Sequence, residues 1–418
     1  MIEIVCCTPF LRHRAMFATT APPLPVNRDR IRPAIQALQD RLVTWRRGLH
    51  QKPELGFKEW LTADFICAQL DEWGIEYQRN IAKTGVAAVI EGTRPGPVLG
   101  IRADMDALPI QEENTVPYCS QHDGVMHACG HDGHVAIALG TAYYLATHRD
   151  FAGTVKVIFQ PAEEGPGGAK PMIEAGVLKN PDVEAMIGLH LWNNLPLGTV
   201  GVRAGALMAA SEFFTCTVQG KGGHGALPHQ TIDSIVVGTQ IVNALQTIVA
   251  RNIDPTKAAV VTVGQFHAGT AQNVIADTAT LGGTVRYFDP AYADYFAPRM
   301  EQIIAGVCQA HGASYSFDYR ALYPPVINDA GMADLVRSVA LAVVETPAGV
   351  VPDCHTMGGE DMAFFLQEVP GCYFFLGSAN ADKALAYPHH HPRFDFDETA
   401  LGLGVEMFVR SVEAYFGE

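Results

Sequence analysis

No run of apolar residues in this chain of 418 is long enough to cross a bilayer as a helix, so no membrane-spanning segment is expected. Positive charge is also in short supply. The 29 Lys and Arg stand against 44 Asp and Glu, leaving a formal net charge of −15. Such a surplus repels polyanions and argues against nucleic acid or an anionic membrane surface as partner. No internal repeat and no low-complexity tract is present. The nine cysteines are odd in number and have no repeating spacing. They read as free thiols of a cytoplasmic protein rather than as a disulfide framework. Residues 1–26 read as a disordered leader. Their apolar part precedes Arg12, His13 and Arg14, the reverse of a secretory signal.

What is present in abundance is ligand chemistry in one short run, Met126-His127-Ala128-Cys129-Gly130-His131-Asp132-Gly133-His134. One thiol, three imidazoles and a carboxylate share nine residues with two glycines. Cys129 and His131 are two apart, so an extended backbone would turn both to one side. A thiolate and an imidazole converging in this way suit a borderline-soft divalent metal. No C-x-x-C pair accompanies the run, which excludes a zinc finger. Two ligands do not complete a site, so the others must come from elsewhere in the chain.

Apolar runs of strand type at 86–90, 98–101, 154–159, 185–189 and 372–376 lack alternation. Helical patterns at 30–45, 59–73, 135–146, 332–345 and from 398 onward separate or flank them. Together they predict an α/β fold with a mostly parallel sheet covered on both faces. Ligands of such sheets bind at the carboxyl ends of the strands. Asp104, Glu163, Glu164 and His190 each follow a strand run, and so gather on the rim that the Cys129 loop can reach. From 205 to 318 the pattern changes to β-α-β-β-α-β, the ferredoxin-like α+β unit. The expected organisation is a catalytic domain of 27–204 and 319–418 interrupted by an inserted domain of 205–318.

Glu163 and Glu164 are adjacent, and adjacent side chains on an extended segment diverge. One can ligate a metal while the other takes a proton from a water acidified by it. His190 and one histidine of the 389–391 run are further ligand candidates. Gly358-Gly359-Glu360-Asp361 precedes a helix, and capping that helix is the simple role for its acids.

Five segments in this order carry a resemblance. They are Arg102-Ala103-Asp104-Met105-Asp106-Ala107-Leu108-Pro109, Cys129-Gly130-His131-Asp132-Gly133-His134, Gln160-Pro161-Ala162-Glu163-Glu164, Gly220-Lys221-Gly222-Gly223-His224-Gly225 and His390-His391-Pro392-Arg393-Phe394. The chain resembles the M20 metallopeptidase clan, in its branch of aminoacylase and hippurate hydrolase-like amidohydrolases. That resemblance implies two divalent metal ions, zinc, manganese, cobalt or nickel, held by Cys129, His131, Glu164, His190 and His390. It implies Glu163 as general base and acid, with Asp104 among the catalytic residues. Arg102 stands where many clan members place a metal-binding histidine. His224 is expected to stabilise the oxyanion in a neighbouring subunit of a homodimer. Asn273 and Arg286 are expected to hold the carboxylate of a small N-acyl amino acid substrate, a role the planar guanidinium fork suits. A peptidase of the same clan and a non-catalytic homologue are the alternatives. The retained Glu163 argues against the second.

Overall fold

The computed structural model describes residues 22–417. Its main sheet has eight strands in the order Glu76–Ile81, Gly85–Glu91, Ala152–Gln160, Arg94–Asp104, Ala185–Pro196, Gly371–Ala379, Val200–Gly201 and Val350–Val351. The central four, Ala152–Gln160 to Gly371–Ala379, run parallel, and the first three strands of the order pair antiparallel at one edge. Gly371–Ala379 is buried along its whole length. A strand covered on both faces has no solvent side to mark with polar residues, which is why its sequence does not alternate.

Helices Gln39–His50, His131–Thr147, Ala330–Val343 and Thr399–Phe416 supply Leu42, Ile137, Val336 and Val405 to the core on one face. On the other face Ile158, Met186, Tyr373 and Phe375 meet the short helices Ala169–Glu174 and Met362–Glu368. No helix among the described residues is long and apolar enough to cross a membrane.

The inserted sheet is antiparallel, in the order Ala259–Ala268, Thr278–Tyr287, Ser211–Gln219, Ser314–Tyr323. Helices Ser234–Arg251 and Phe296–His311 cover one face through Ile241, Leu245, Met300 and Ile304. This is the β-α-β-β-α-β order expected from the sequence. Its last strand carries the sheet to Tyr323, past the expected boundary at 318. The two connections, Gly205–Met208 and Val326–Asn328, pair antiparallel, so the chain passes into and out of the inserted unit side by side.

Three other local expectations change. His131 does not lie on an extended segment. Gly130 turns with φ +93° and the helix starts at His131, so residues 131–134 occupy its buried first turn. The strand carrying His190 continues to Pro196, which places His190 within the strand rather than after it. Residues 1–21 of the expected leader lie outside the described residues. Its last part, 22–26, runs along the body, where the Leu24 N–H donates to the Leu197 carbonyl at 2.9 Å and Val26 packs on the core.

Candidate metal and catalytic site

At the carboxyl rim of the parallel strands, Cys129 Sγ lies 3.4 Å from His190 Nε2, and His390 Nε2 lies 3.2 Å from Glu164 Oε1. His131 Nε2 is 3.9 Å from the same Glu164 oxygen. Backbone carbonyls fix two of these rings. His131 Nδ1 is 2.9 Å from the Asp106 carbonyl, and His190 Nδ1 is 2.7 Å from the Leu191 carbonyl. A carbonyl only accepts, so each Nδ1 carries a proton and each Nε2 is turned toward the site.

His131 Nε2 and Glu164 Oε1 are both buried and make no hydrogen bond. With only His390 and Cys129 as neighbouring donors to the carboxylate, a cation held between the ring and the carboxylate would satisfy both. Cys129, His131 and His190 bring ligand atoms within 4.8 Å of one another, and so do Cys129, Glu164 and His390. The two sets share Cys129. A thiolate common to two ligand sets fits two divalent ions, and the mixed sulfur, nitrogen and oxygen donors suit transition metals. Burial and the nearby Glu164 and Glu163 carboxylates push the Cys129 thiol pKa well up, so its thiolate depends on a cation.

The run of three histidines sorts by environment. His390 alone approaches Glu164. His389 spends Nε2 on the Leu191 carbonyl at 2.9 Å and stacks on Trp192, while His391 stacks on Tyr387 at the surface. His134 is also committed: Nδ1 binds Asp104 at 2.5 Å and Nε2 accepts the Leu191 N–H at 2.8 Å.

Glu163 and Glu164 are presented by a loop whose N–H groups are clamped. Asp106 accepts from Glu163 N–H and Glu164 N–H with its two oxygens, each at 3.0 Å, and Glu59 accepts from Ala162 N–H at 2.9 Å. Ala162, just before the two acids, has φ +56°. Glu164 faces the histidines. Glu163 faces Glu360 and Asp361, all three with carboxylate oxygens within 4.8 Å of one another. Burial, then Glu360 and Glu164, raise the Glu163 pKa well above its ordinary value.

Asp104 is fully buried, bonds Arg102 at 2.7 Å and His134 at 2.5 Å, and does not line the cleft. One of its oxygens is 3.6 Å from His131 Nε2, and it groups with His131 and His134. Arg102 is equally buried and joins Asp104, Gln160, Glu360 and Asp361. An always-charged guanidinium there neutralises acids rather than ligating a metal. Asp361 does not cap its helix with its side chain, because Arg102, Gln160 and the Ala169 N–H occupy it. Glu360 accepts the Met362 N–H at 3.0 Å instead.

The cleft above the site, about 540 Å³, places Trp192, Phe213, Leu322 and Met357 around these groups, with Arg286 on the inserted side. Arg286 donates to Thr284 at 3.2 Å and has no carboxylate partner among the described residues. Burial lowers its pKa. His224 and Asn273 are not brought to this cleft. Both are exposed on a small ribbon, Gly223–His224 paired with Val274–Ile275, where the Asn273 carbonyl accepts the Gly225 N–H at 2.8 Å. Sequence reasoning passed over Asp106, Glu59 and Tyr323. Only Asp106 carried a signal, as the second acid of Asp104-Met105-Asp106.

The model of peptidase family M20/M25/M40 matches residues 100–414. The chain belongs to this family. It is 47% identical to an N-acyl-L-amino acid amidohydrolase of Geobacillus stearothermophilus, over 72% of this chain and 82% of that one. It is 40% identical to thermostable carboxypeptidase 2 of Saccharolobus solfataricus, over 90% and 95%. A Bacillus subtilis structure described as a dinuclear metal-binding peptidase of the M20 family superposes with a TM-score of 0.79 at 37% identity, over 91% of this chain and 99% of that one. Family membership and the paired ligand sets together support two divalent metals here.

Proposed function

We propose that this chain is a metal-dependent amidohydrolase that cleaves the amide of N-acyl amino acids, with Cys129, His131, Glu164, His190 and His390 as metal ligands and Glu163 as proton shuttle. The observation that carries this is an unpaired Arg286 across one cleft from the Glu163–Glu164 pair. An unsatisfied guanidinium in a partly buried cleft seeks a carboxylate, and the α-carboxylate of an acyl amino acid supplies it.

When bound, the ions supply Lewis acidity toward a carbonyl oxygen and toward water. Zinc, manganese, cobalt and nickel are the candidates for this donor set. Arg286 orients the substrate by its carboxylate. The Glu163 carboxylate takes the proton of the attacking water and returns it to the leaving nitrogen. Glu360 and Asp361 beside it favour a protonated Glu163, which suits holding the proton until the amine departs. Trp192, Phe213 and Met357 offer an apolar wall to the acyl group and exclude water from it.

His224 and Asn273 act in a second copy of the chain, His224 as oxyanion donor and Asn273 on the substrate. Support comes from their exposure on the ribbon, beside the exposed apolar side chains Leu227, Ile235, Val236 and Val274. A homodimer would cover that surface. Free thiols such as Cys67, Cys216 and Cys372 favour the cytoplasm.

The relative named as a carboxypeptidase supports a second reading, in which Arg286 holds the C-terminal carboxylate of a short peptide. A screen of N-acetyl, N-benzoyl and longer N-acyl amino acids beside dipeptides, with metal content measured on the same sample, separates the two. Faster turnover of the acyl amino acids is expected. Arg286→Ala should reduce kcat/KM for them by about 10²-fold, the scale of a charge-assisted bidentate contact, while barely affecting the matching amino-acid amides. Equal losses on both substrate types would refute carboxylate recognition.

A further inference from the structure

Glu163 and Arg286, the two groups proposed to touch the substrate, belong to different units. Arg286 lies on Thr278–Tyr287 of the inserted sheet, and Glu163 lies on the loop after Ala152–Gln160 of the main sheet. Catalysis of the proposed kind needs their separation fixed to a fraction of an ångström. The N–H side of the Glu163 loop is held by Asp106 and Glu59, both of the main unit. The Glu163 carbonyl accepts the loop's own Gly165 N–H at 2.9 Å and, from outside the loop, a hydroxyl. Tyr323 Oη donates to the Glu163 carbonyl at 2.6 Å and lies 3.3 Å from the Gly165 carbonyl. Tyr323 is the last residue of Ser314–Tyr323 and therefore belongs to the inserted sheet.

The surroundings are built for this contact. The strand has an irregular register between Ala321 and Tyr323, and an extra residue of that kind re-aims the side chain that follows. Tyr323 is only 9% exposed, with its ring edge-on to Phe364 at 6.3 Å. Gly167, at φ +79°, lets the Glu163 loop fold over the ring. A Cβ there would stand 3.2 Å from Tyr323 Cε1. Leu322 and Tyr323 together line the catalytic cleft.

We infer that Tyr323 is a positioning residue for the hydrolysis, whose hydroxyl locks the peptide carrying Glu163 to the inserted sheet carrying Arg286. The inference rests on the proposed roles of Glu163 and Arg286. A shift of the inserted sheet with bound substrate is transmitted through this hydrogen bond to the base. Tyr323 acts through Glu163 and touches no reacting atom.

A double-mutant cycle tests it. Tyr323→Phe keeps the ring and removes only the hydroxyl. Turnover, KM, metal content and thermal midpoint are measured for the parent, Tyr323→Phe, Glu163→Gln and the double variant. Tyr323→Phe is expected to lower kcat by about 10-fold with KM within about 2-fold, at parental metal content and midpoint. On the Glu163→Gln background the same change is expected to alter kcat by less than about 2-fold, because the group it positions is already disabled. Parental turnover in Tyr323→Phe would overturn the inference, as would an equal loss on both backgrounds or a loss that tracks metal content or midpoint. Glu163→Gln losing turnover while Tyr323→Phe keeps it overturns the inference alone. Glu163→Gln keeping parental turnover overturns the reading of Glu163 and the inference with it.

Discussion

Cys129 is the residue on which both ligand sets depend. Its sulfur is 3.4 Å from His190 Nε2 and belongs with Glu164 and His390 as well. Serine is smaller and far less acidic, so Cys129→Ser should remove most of both ions, measured by elemental analysis, and turnover should fall with them. Parental metal content would show that the sulfur is a bystander. The proposed ligands stood out in the sequence, Cys129 and His131 by sharing one dense loop, Glu164 and His190 by their strand runs, and His390 through the family resemblance. Asp104 and Asp106 were not separable that way. Both are acids at the end of the same strand, and only the hydrogen bonds of the fold assign one to Arg102 and His134 and the other to the Glu163 loop. Tyr323 had no local signal, since its partner lies 160 residues away in sequence.

At the scale of elements, non-alternating apolar runs marked the buried parallel strands, and the change of pattern near 205 marked the inserted sheet. Ends were harder to read. The helix starting at His131 was masked by glycines and polar residues that the core nevertheless buries. The ribbon that holds His224 beside Asn273 has two residues on each side, too few for any periodicity. The final helix Thr399–Phe416 offers a prediction of its own. Burial opposes ionisation of Asp397, but Lys383, Thr399 and Asn380 donate to it and hold its pKa below the ordinary 3.8. A carboxyl depressed by folding stabilises the fold above its unfolded pKa, and that contribution fades as pH falls through the folded value. Asp397→Asn should therefore lower stability by about 1 kcal/mol at neutral pH, with the difference from the parent shrinking below pH about 4, as read from denaturation midpoints across pH. A difference that stays constant into acid would deny the ionised role.

For the whole molecule, charge argued against polyanionic partners before any fold was considered, and strand order gathered the proposed ligands on one rim. What composition could not reveal is that one chain leaves its cleft short of His224 and Asn273. The proposed homodimer answers that shortage. His224→Ala and Glu163→Gln should each be nearly inactive alone, and mixing them under subunit exchange should restore activity, since one cleft per dimer then has both groups. No recovery after verified exchange would leave His224 acting within its own chain or not at all.

An ion-bearing rim and a separate proton shuttle are proposed to divide the work between Glu164 and Glu163. Turnover and metal content of Glu163→Gln, measured on one preparation, test this division most directly. Parental metal content is expected, with kcat reduced by at least about 10²-fold, the scale of a lost general base. Loss of the ions with the carboxylate, or full turnover without it, would contradict it.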